Sequence, residues 1–474
     1  MVILFLMYTT MKWLAPLITV SYLTILSFHT KAQAKAEVWL TKMDKSSLLS
    51  HQPVIEFAEQ ENFRDVAAIT ISSDSVFQEI DGFGFALTGG SAQHLIRMSV
   101  TERQKLLQEL FGQSGKGISI SYLRVSIGAS DLNETVFSYD DLPVGETDES
   151  LEKFNLSQDK KDVIPVLKEI LKINPRIKIL GSPWSAPLWM KTNQNIQGGR
   201  LAEKYYTVYA KYFVKYIQHM NANGVIIDAI TIQNEPFNNG NTPSMQMFAK
   251  EQARFIKDHL GPAFRKNNIH TKIILYDHNC DAPEYPISIL TDSAARQYID
   301  GSAFHLYAGP MSALSKVHRA FPTKQLYFTE MMAVNRNEFN IANPVERIVI
   351  GATRNWSRNV ILWNLAANSA NQPHTDNGGC SMCQGAVTID GDSVQRNLAY
   401  YTIAHASKFV APLSVRVGSN LTDSVSNVAF KTPSGKFVVI VANNAKSQQE
   451  FSIRFRSKQI RYALNRGDVV TFVW

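Results

Sequence analysis

The sequence predicts an α/β fold: a (β/α)8 TIM barrel with a side all-β sandwich formed by the C-terminal strands and an N-terminal strand. Three observations predict it. From Ile80 onward, β-rich apolar runs alternate with helical segments, the pattern of a parallel sheet with crossover helices. Eight such runs occur, the number that closes a small barrel. After about Ala404 the pattern changes to short strands separated by turns.

The strand candidates are residues 80–88, 122–126, 177–182, 227–233, 272–276, 302–307, 325–329 and 359–364. Between the first two, Thr101-Glu-Arg-Gln104 reads as a capping box, followed by Leu106, Leu107, Leu110 and Phe111 at helical spacing. Before strand four, Tyr206, Tyr209, Ala210, Phe213, Val214 and Ile217 form an apolar stripe that reads as barrel-facing core. The sandwich candidates are 415–417, 426–431, 436–442, 450–455, 462–464 and 469–474. Pro433-Ser-Gly435 and Asn443-Asn444 supply turn residues. Residues 36–71 are also strand-like and are expected to join the sandwich. The expected division is 1–34 signal peptide, 35–77 N-terminal strands, 78–404 catalytic barrel and 405–474 sandwich.

At the N-terminus, Lys12 precedes a long apolar run and Ala32-Gln33-Ala34 follows it. A basic start, an apolar centre and an A-x-A site describe a secretory signal peptide, with Met11 an alternative start. Uncleaved, residues 2–28 are long enough to anchor in a bilayer; cleaved, they leave no integral membrane span and a secreted or periplasmic protein. Hydrophobic residues make up 45% and charged residues 19%, a globular composition. Cleavage would remove Lys12 and Lys31, lowering the formal charge from +7 to +5. No cluster of Lys and Arg concentrates that charge, so no nucleic-acid partner is expected.

Three cysteines exclude a disulfide-scaffolded fold. Cys380-Ser-Met-Cys383 has zinc-like spacing, but no second pair completes a site, which leaves a local disulfide or two free thiols. Sequons at Asn133, Asn155, Asn355 and Asn420 matter only in a eukaryotic source.

In a closed barrel the C-terminal ends of the strands face the active site. Strand four ends in Gln233-Asn234-Glu235-Pro236 and strand seven in Thr329-Glu330-Met331. Strand three delivers Trp184 and Trp189, and strand six His305 and Tyr307. Strand eight delivers Trp363 and Asn364. Strand two has Arg124 within it and Asp131 just beyond. Aromatic faces with amides and carboxylates at the rim suit a polyhydroxylated ring. Two carboxyl groups are what glycoside cleavage needs: one protonates the leaving oxygen, the other attacks carbon one. Glu235 reads as acid/base, beside an Asn234 amide able to bind the sugar 2-hydroxyl. Glu330 reads as nucleophile, oriented by Tyr307. Trp184, His305, Trp363 and Arg124 complete the substrate-binding candidates. No phosphate loop, serine elbow or zinc helix is present, and neither cofactor nor metal is expected.

Taken together, these motifs resemble glycoside hydrolase family 30. The resemblance runs from about Gln78 to Trp474. It covers Asp81-Gly-Phe-Gly84, Tyr122-Leu-Arg-Val125, the run from Ser182 to Asn193, Gln233-Asn-Glu-Pro236, His305-Leu-Tyr307, Thr329-Glu330, Trp363-Asn-Leu365 and His405-Ala-Ser-Lys-Phe409. It implies retaining hydrolysis, with Glu235 and Glu330 on the family's acid/base and nucleophile positions. Trp184, Asn234 and Trp363 fall on its sugar-contacting positions. The expected activity is that of a glucosylceramidase-like β-glucosidase acting on a carbohydrate or glycoconjugate. The alternative is an endo-β-1,6-glucanase of the same family. Two departures bear on that choice. Glucosylceramidase-like members carry Thr-Asp where this chain has Thr88-Gly89, and residues 371–390, with Cys380 and Cys383, replace a different loop. Two other classes compete with this reading: a non-catalytic carbohydrate-binding protein, and a metal enzyme using His278, His305, His374 and the cysteines.

Overall fold

The computed structural model describes residues 35–60, 67–156, 158–334, 338–376 and 379–474. The expected signal peptide lies outside them. No helix among the described residues is long and apolar enough to cross a membrane.

Eight parallel strands close into a barrel in chain order: Gly82–Ala86, Tyr122–Ser126, Lys178–Ser182, Ala229–Thr231, Lys272–Asn279, Ile299–His305, Gln325–Glu330 and Ser357–Leu362. The last pairs with the first from Asn359↔Gly82 to Leu362↔Phe85, which completes the closure. All eight predicted strands are present; only the second has the predicted bounds, and the differences on strands four and five shape the site. Strand four is only three residues long. Beyond it the chain leaves the ladder, and the Asn234 and Glu235 amides donate to the carbonyls of Pro183 and Asp277. Strand five runs three residues further than predicted, through Tyr276 and Asp277, which both have positive φ.

Side chains two residues apart on a strand share a face. That period builds the barrel interior in layers. One layer is apolar: Tyr122, Leu180, Ala229, Ile274, Ala303, Tyr327 and Ile361. Two residues further along, the same strands present Arg124, Ser182, Thr231, His305, Thr329 and Trp363. On strand five the step is three residues, Ile274 to Asp277, because the left-handed backbone at 276 and 277 adds one. A polar layer thus sits on an apolar floor at the C-terminal mouth.

The helices pack outside. Val100–Phe111 is capped by Ser99, whose hydroxyl accepts from the Glu102 amide, so the capping residue stands two positions before the predicted Thr101. Leu106, Leu107, Leu110 and Phe111 are buried as predicted, and so is the stripe on Tyr206–Ala222.

Helix Leu398–Ser407 leads from the barrel to the sandwich. Ten strands make the sandwich. Its long strand Ala67–Glu79 pairs antiparallel with Val415–Ser419 and parallel with Gln449–Phe455, which folds the sheet over a second apolar core. The N-terminal strand Lys35–Thr41 pairs with the last, Val469–Val473, so both ends of the described chain lie in this module. His405 ties it to the barrel: its ring nitrogens meet Thr471 and Thr41 hydroxyls at 2.9 and 2.8 Å. Burial drives the His405 pKa down to about 3, so the ring is neutral.

Candidate active site

A cleft of about 450 Å³ opens at the C-terminal mouth of the barrel. Glu235 and Glu330 both line it, and each is buried. One oxygen of each lies within 4.8 Å of the other and of a His305 ring nitrogen. Among the described residues, these three are also the one group whose ligand atoms are close enough to hold a metal ion.

The polar layer beneath sets the charges. Arg124 is fully buried; its Nη1 donates to Glu330 Oε2 at 2.6 Å, and its Nη2 to Asp277 Oδ2 and Asn234 Oδ1 at 2.7 Å. Asp277 also accepts from Ser182, Thr231 and Thr329 at 2.6–2.7 Å. Burial opposes the Asp277 charge, but Arg124, then His305 and Ser182, outweigh it, and the carboxyl stays well below the usual range. His305 stands between two acids: Nε2 is 3.1 Å from Asp277 Oδ1 and Nδ1 is 3.0 Å from Glu235 Oε1. Burial opposes its protonation, yet Glu330, Asp277 and Glu235 raise it to about 9. Burial raises the Glu330 carboxyl, and His305 and Arg124 limit the rise. Burial also acts upward on Glu235, but the hydrogen bond and charge of protonated His305, with Asn238, hold it down to about 2. The Glu235–His305 pair therefore shares one proton across a 3.0 Å hydrogen bond.

The backbone is strained at the same place. Glu235 has φ +46°, Tyr276 +71° and Asp277 +63°. Such conformations cost on the order of 1–3 kcal/mol each and persist where the surroundings over-determine them, commonly at functional sites. Here the Glu235 amide is bonded to the Asp277 carbonyl, so the strained residues hold each other.

The sequence-predicted residues separate into two groups. Trp184, Tyr307 and Trp363 line the cleft, the two tryptophans stacked with centroids 5.3 Å apart. The Tyr307 hydroxyl donates to Glu330 Oε1 at 3.1 Å. Asp131 lines it too; burial and then the charges of Glu330 and Glu235 push its pKa up to about 8. Arg124, expected to contact substrate, does not line the cleft. It lies mid-strand in the layer below, covered by the Trp184 ring at 4.8 Å, and its guanidinium is taken up by side chains. His305 is likewise buried beneath the two glutamates. Asn234 is not among the lining residues either; its Oδ1 accepts from Arg124, and its Nδ2 is without a partner among the described residues. Asn364 is held by Thr88 and Ser91 hydroxyls. Trp189 packs away from the cleft, its Nε1 donating to the Asp140 carbonyl.

Cys380 and Cys383 are joined as a disulfide that lines the cleft and packs on Met332. The Cys380 amide donates to the Asp131 carboxylate. The histidine–cysteine metal set is not assembled: the cysteines are bonded together and His374 Nε2 meets Gln372. Asn133 of the first sequon is buried, its amide enclosed by Ser130.

Sequence reasoning missed Asp277, the hub of the layer, because the predicted strand stopped one residue short of it. Tyr276-Asp-His-Asn279 carried the same signal as the other strands: polar side chains closing an apolar run at the barrel mouth. Phe237, Asn238, Asn241 and Asn279 were missed as well, although Phe237 to Asn241 directly follow Glu235-Pro236.

Comparison with known proteins agrees with this fold. The glycosyl hydrolase family 30 TIM-barrel domain matches residues 80–410, and the family 30 beta sandwich domain matches 414–472. The chain is 34% identical over 407 residues to endo-1,6-beta-D-glucanase neg1 of Aspergillus fumigatus, covering 81% of this chain and 82% of that one. It is 27% identical over 439 residues to mouse lysosomal acid glucosylceramidase, covering 86% and 83%. The solved endo-beta1,6-glucanase BT3312 superposes with a TM-score of 0.85 at 32% identity, over 93% of this chain and 99% of that one. With both domain matches covering the barrel and sandwich described above, the chain belongs to glycosyl hydrolase family 30 and is a glycoside hydrolase.

Proposed function

We propose that this glycoside hydrolase is a retaining endo-β-1,6-glucanase, with Glu330 as nucleophile and Glu235 as general acid and base. The observation that carries the substrate is the ranking of relatives. Curated endo-1,6-beta-D-glucanases match at 34–35% identity, whereas glucosylceramidases match at 26–28%. This favours the second of the two sequence expectations. Gly89 agrees: a Cβ there would lie 2.0 Å from the Asn133 amide nitrogen, so a glucosylceramidase-type aspartate would have to displace the Asn133 side chain.

The geometry supports the two roles. Carboxylate oxygens within 4.8 Å fit the roughly 5–5.5 Å carboxyl separation of retaining enzymes, not the wider gap that admits a water in inverting ones. Glu330 has a permanent cation 2.6 Å away, which suits a group that must be ionised to attack. Donors from His305 and Asn238 hold Glu235 ionised, so the proton it needs as an acid comes to it across the 3.0 Å hydrogen bond from His305. Glu330 attacks carbon one while the bond to the leaving oxygen breaks, and Glu235 gives that oxygen a proton. Glu235 then takes a proton from water as the water displaces Glu330. Asn234 Nδ2 is free to bind the 2-hydroxyl, and Trp184 with Trp363 forms the apolar wall.

Digestion of β-1,6-glucan, β-1,3-glucan and an aryl β-glucoside, with NMR of the first-formed anomer, tests this reading. Short β-anomeric oligosaccharides from β-1,6-glucan are expected. Glucose alone, released from the aryl glucoside with the polymers untouched, would mean an exo-glucosidase instead.

The shared proton gives a pH prediction. The His305 pKa is raised, so the proton is present at low pH and leaves as pH rises toward about 9. The alkaline limb of kcat/KM should fall in that region. In His305→Asn the proton store is gone, and the alkaline limb should move at least one unit toward acid. An unshifted limb in the variant would refute the sharing.

A further inference from the structure

We propose that the cleft holds a separate subsite for the leaving sugar, built on Phe237 with Asn241 and Asn279, which receives a glucopyranose linked through its 6-hydroxyl. The proposal rests on the retaining glucanase reading and extends it to the other side of the scissile bond.

The cleft lining falls into two groups. Trp184, Trp363, the disulfide and Met332 pack into one apolar cluster. The second group is Phe237, Asn238, Asn241, His278 and Asn279, of which Asn238 donates to Glu235 Oε2 at 2.7 Å, His278 Nε2 lies 4.0 Å from Glu235 Oε1, and the Phe237 ring packs on His278. The cleaved sugar must lie where Glu330 reaches carbon one. Its leaving oxygen must face Glu235, so the second group meets whatever departs.

Phe237 is 40% exposed, a large apolar side chain at the mouth of a polar cleft. It is not a loose surface residue. Its ring packs against Tyr285, His278 and Phe248 with centroids 5.4, 5.9 and 6.2 Å away. A rigid aromatic with an open face is a platform for the apolar side of a sugar. The polar groups around it are unspent: among the described residues the Asn241 side chain and Asn279 Nδ2 make no hydrogen bond. Asn279 Oδ1 accepts from the Tyr307 and Ala308 amides, which fixes the direction of its free NH2. An apolar platform with a few oriented polar groups is how a sugar pocket is made.

The linkage follows from the proposed substrate: in a β-1,6-glucan the leaving sugar is joined through its exocyclic CH2, so its ring stands one bond further from the acid than in a ring-hydroxyl linkage.

Occupancy of this site can be read without the polymer, because a sugar bound there can replace water as acceptor. The bond from carbon one to Glu330 then breaks, the bond to the acceptor oxygen forms, and the hydroxyl proton goes to Glu235. β-Glucosyl fluoride, whose leaving fluoride fills no sugar site, serves as donor and methyl β-glucopyranoside as acceptor. The expected wild-type result is saturable formation of a β-1,6-linked disaccharide. In Phe237→Ala and in Asn241→Ala, the ratio of transfer to hydrolysis should fall at least tenfold. Each variant should also lose at least ten times more kcat/KM on β-1,6-glucan than on the fluoride. An unchanged transfer ratio in both variants, or equal loss on both substrates, would overturn the subsite. A wild-type enzyme that leaves β-1,6-glucan intact would instead overturn the substrate reading, while the transfer ratio still decides the subsite. Turnover of neither substrate would count against both.

Discussion

Glu330→Gln is expected to lower kcat/KM on β-1,6-glucan by more than about 10⁴-fold while the protein stays folded, a loss of roughly 5 kcal/mol of transition-state stabilisation. The amide is isosteric but cannot form the glycosyl ester, so the two-step route is lost. The fold should survive, because Arg124 keeps Asp277, Asn234 and Ser182 as partners. Glu235→Gln separates the roles. It should slow β-1,6-glucan by roughly 10²–10⁴-fold, the usual worth of a positioned proton donor. Cleavage of an aryl glucoside with an acidic phenol should fall far less in its first step, since that leaving group needs no proton. Steady-state kinetics on both substrates, with a thermal melt of each variant, checks this. Full activity in Glu330→Gln would remove the mechanism. Equal losses on the two substrates in Glu235→Gln would remove its role as acid.

How much of this was legible in the sequence follows from the barrel's own regularity. Period-two alternation places Arg124 above Tyr122 and His305 above Ala303. Thus the rule that finds the strands also finds the functional layer, and Glu330 falls at a strand end, while Glu235 lies past the end of strand four at Thr231. The rule fails where the backbone leaves the regular ladder. Two left-handed residues at Tyr276 and Asp277 shift strand five by one, which hid Asp277 from an alternation argument. Arg124 was legible as a site residue but not as a buried one, because depth within a barrel depends on which layer a side chain joins. The disulfide was one of two readings left open by the spacing of Cys380 and Cys383. Its place on the cleft wall depends on long-range contacts of residues 371–376 with the barrel loops. There the Thr375 amide donates to the Asp131 carbonyl and its hydroxyl to that of Thr242. Such long-range loop contacts leave no periodic trace in the sequence. The glutamate pair and the tryptophans point to glycoside cleavage and say nothing of the linkage, which in the proposed reading rests on residues such as Gly89 and Phe237.

Arg124→Met should produce the largest loss of stability. The guanidinium is fully buried and forms 2.6 and 2.7 Å ion pairs with two acids that are themselves buried. Removing one partner of a buried pair leaves an uncompensated charge and costs about 3–5 kcal/mol. Here two carboxylates lose their cation at once, which places the expected cost at the upper end. The sign with pH can be worked out. Asp277 is held below its ordinary value in the folded protein, so it contributes stability above that value and loses it as pH falls through the folded one. Without Arg124, burial acts unopposed by the largest of the charges that hold Asp277 down. Its carboxyl then rises, and folding at neutral pH must bury an anion or take up a proton. Urea unfolding should therefore show the variant weakest relative to wild type at pH 7, with the gap narrowing toward pH 4–5 as the acids protonate. The double variant Arg124→Met with Glu330→Gln should recover part of the loss at pH 7, because one of the two orphaned charges has been removed. A gap that stays constant from pH 7 to pH 4 would mean that Arg124 stabilises by packing under Trp184, not by charge. The same variant should lose activity even where it is folded, since Glu330, Asn234 and, through Asp277, His305 all take their positions from this one side chain.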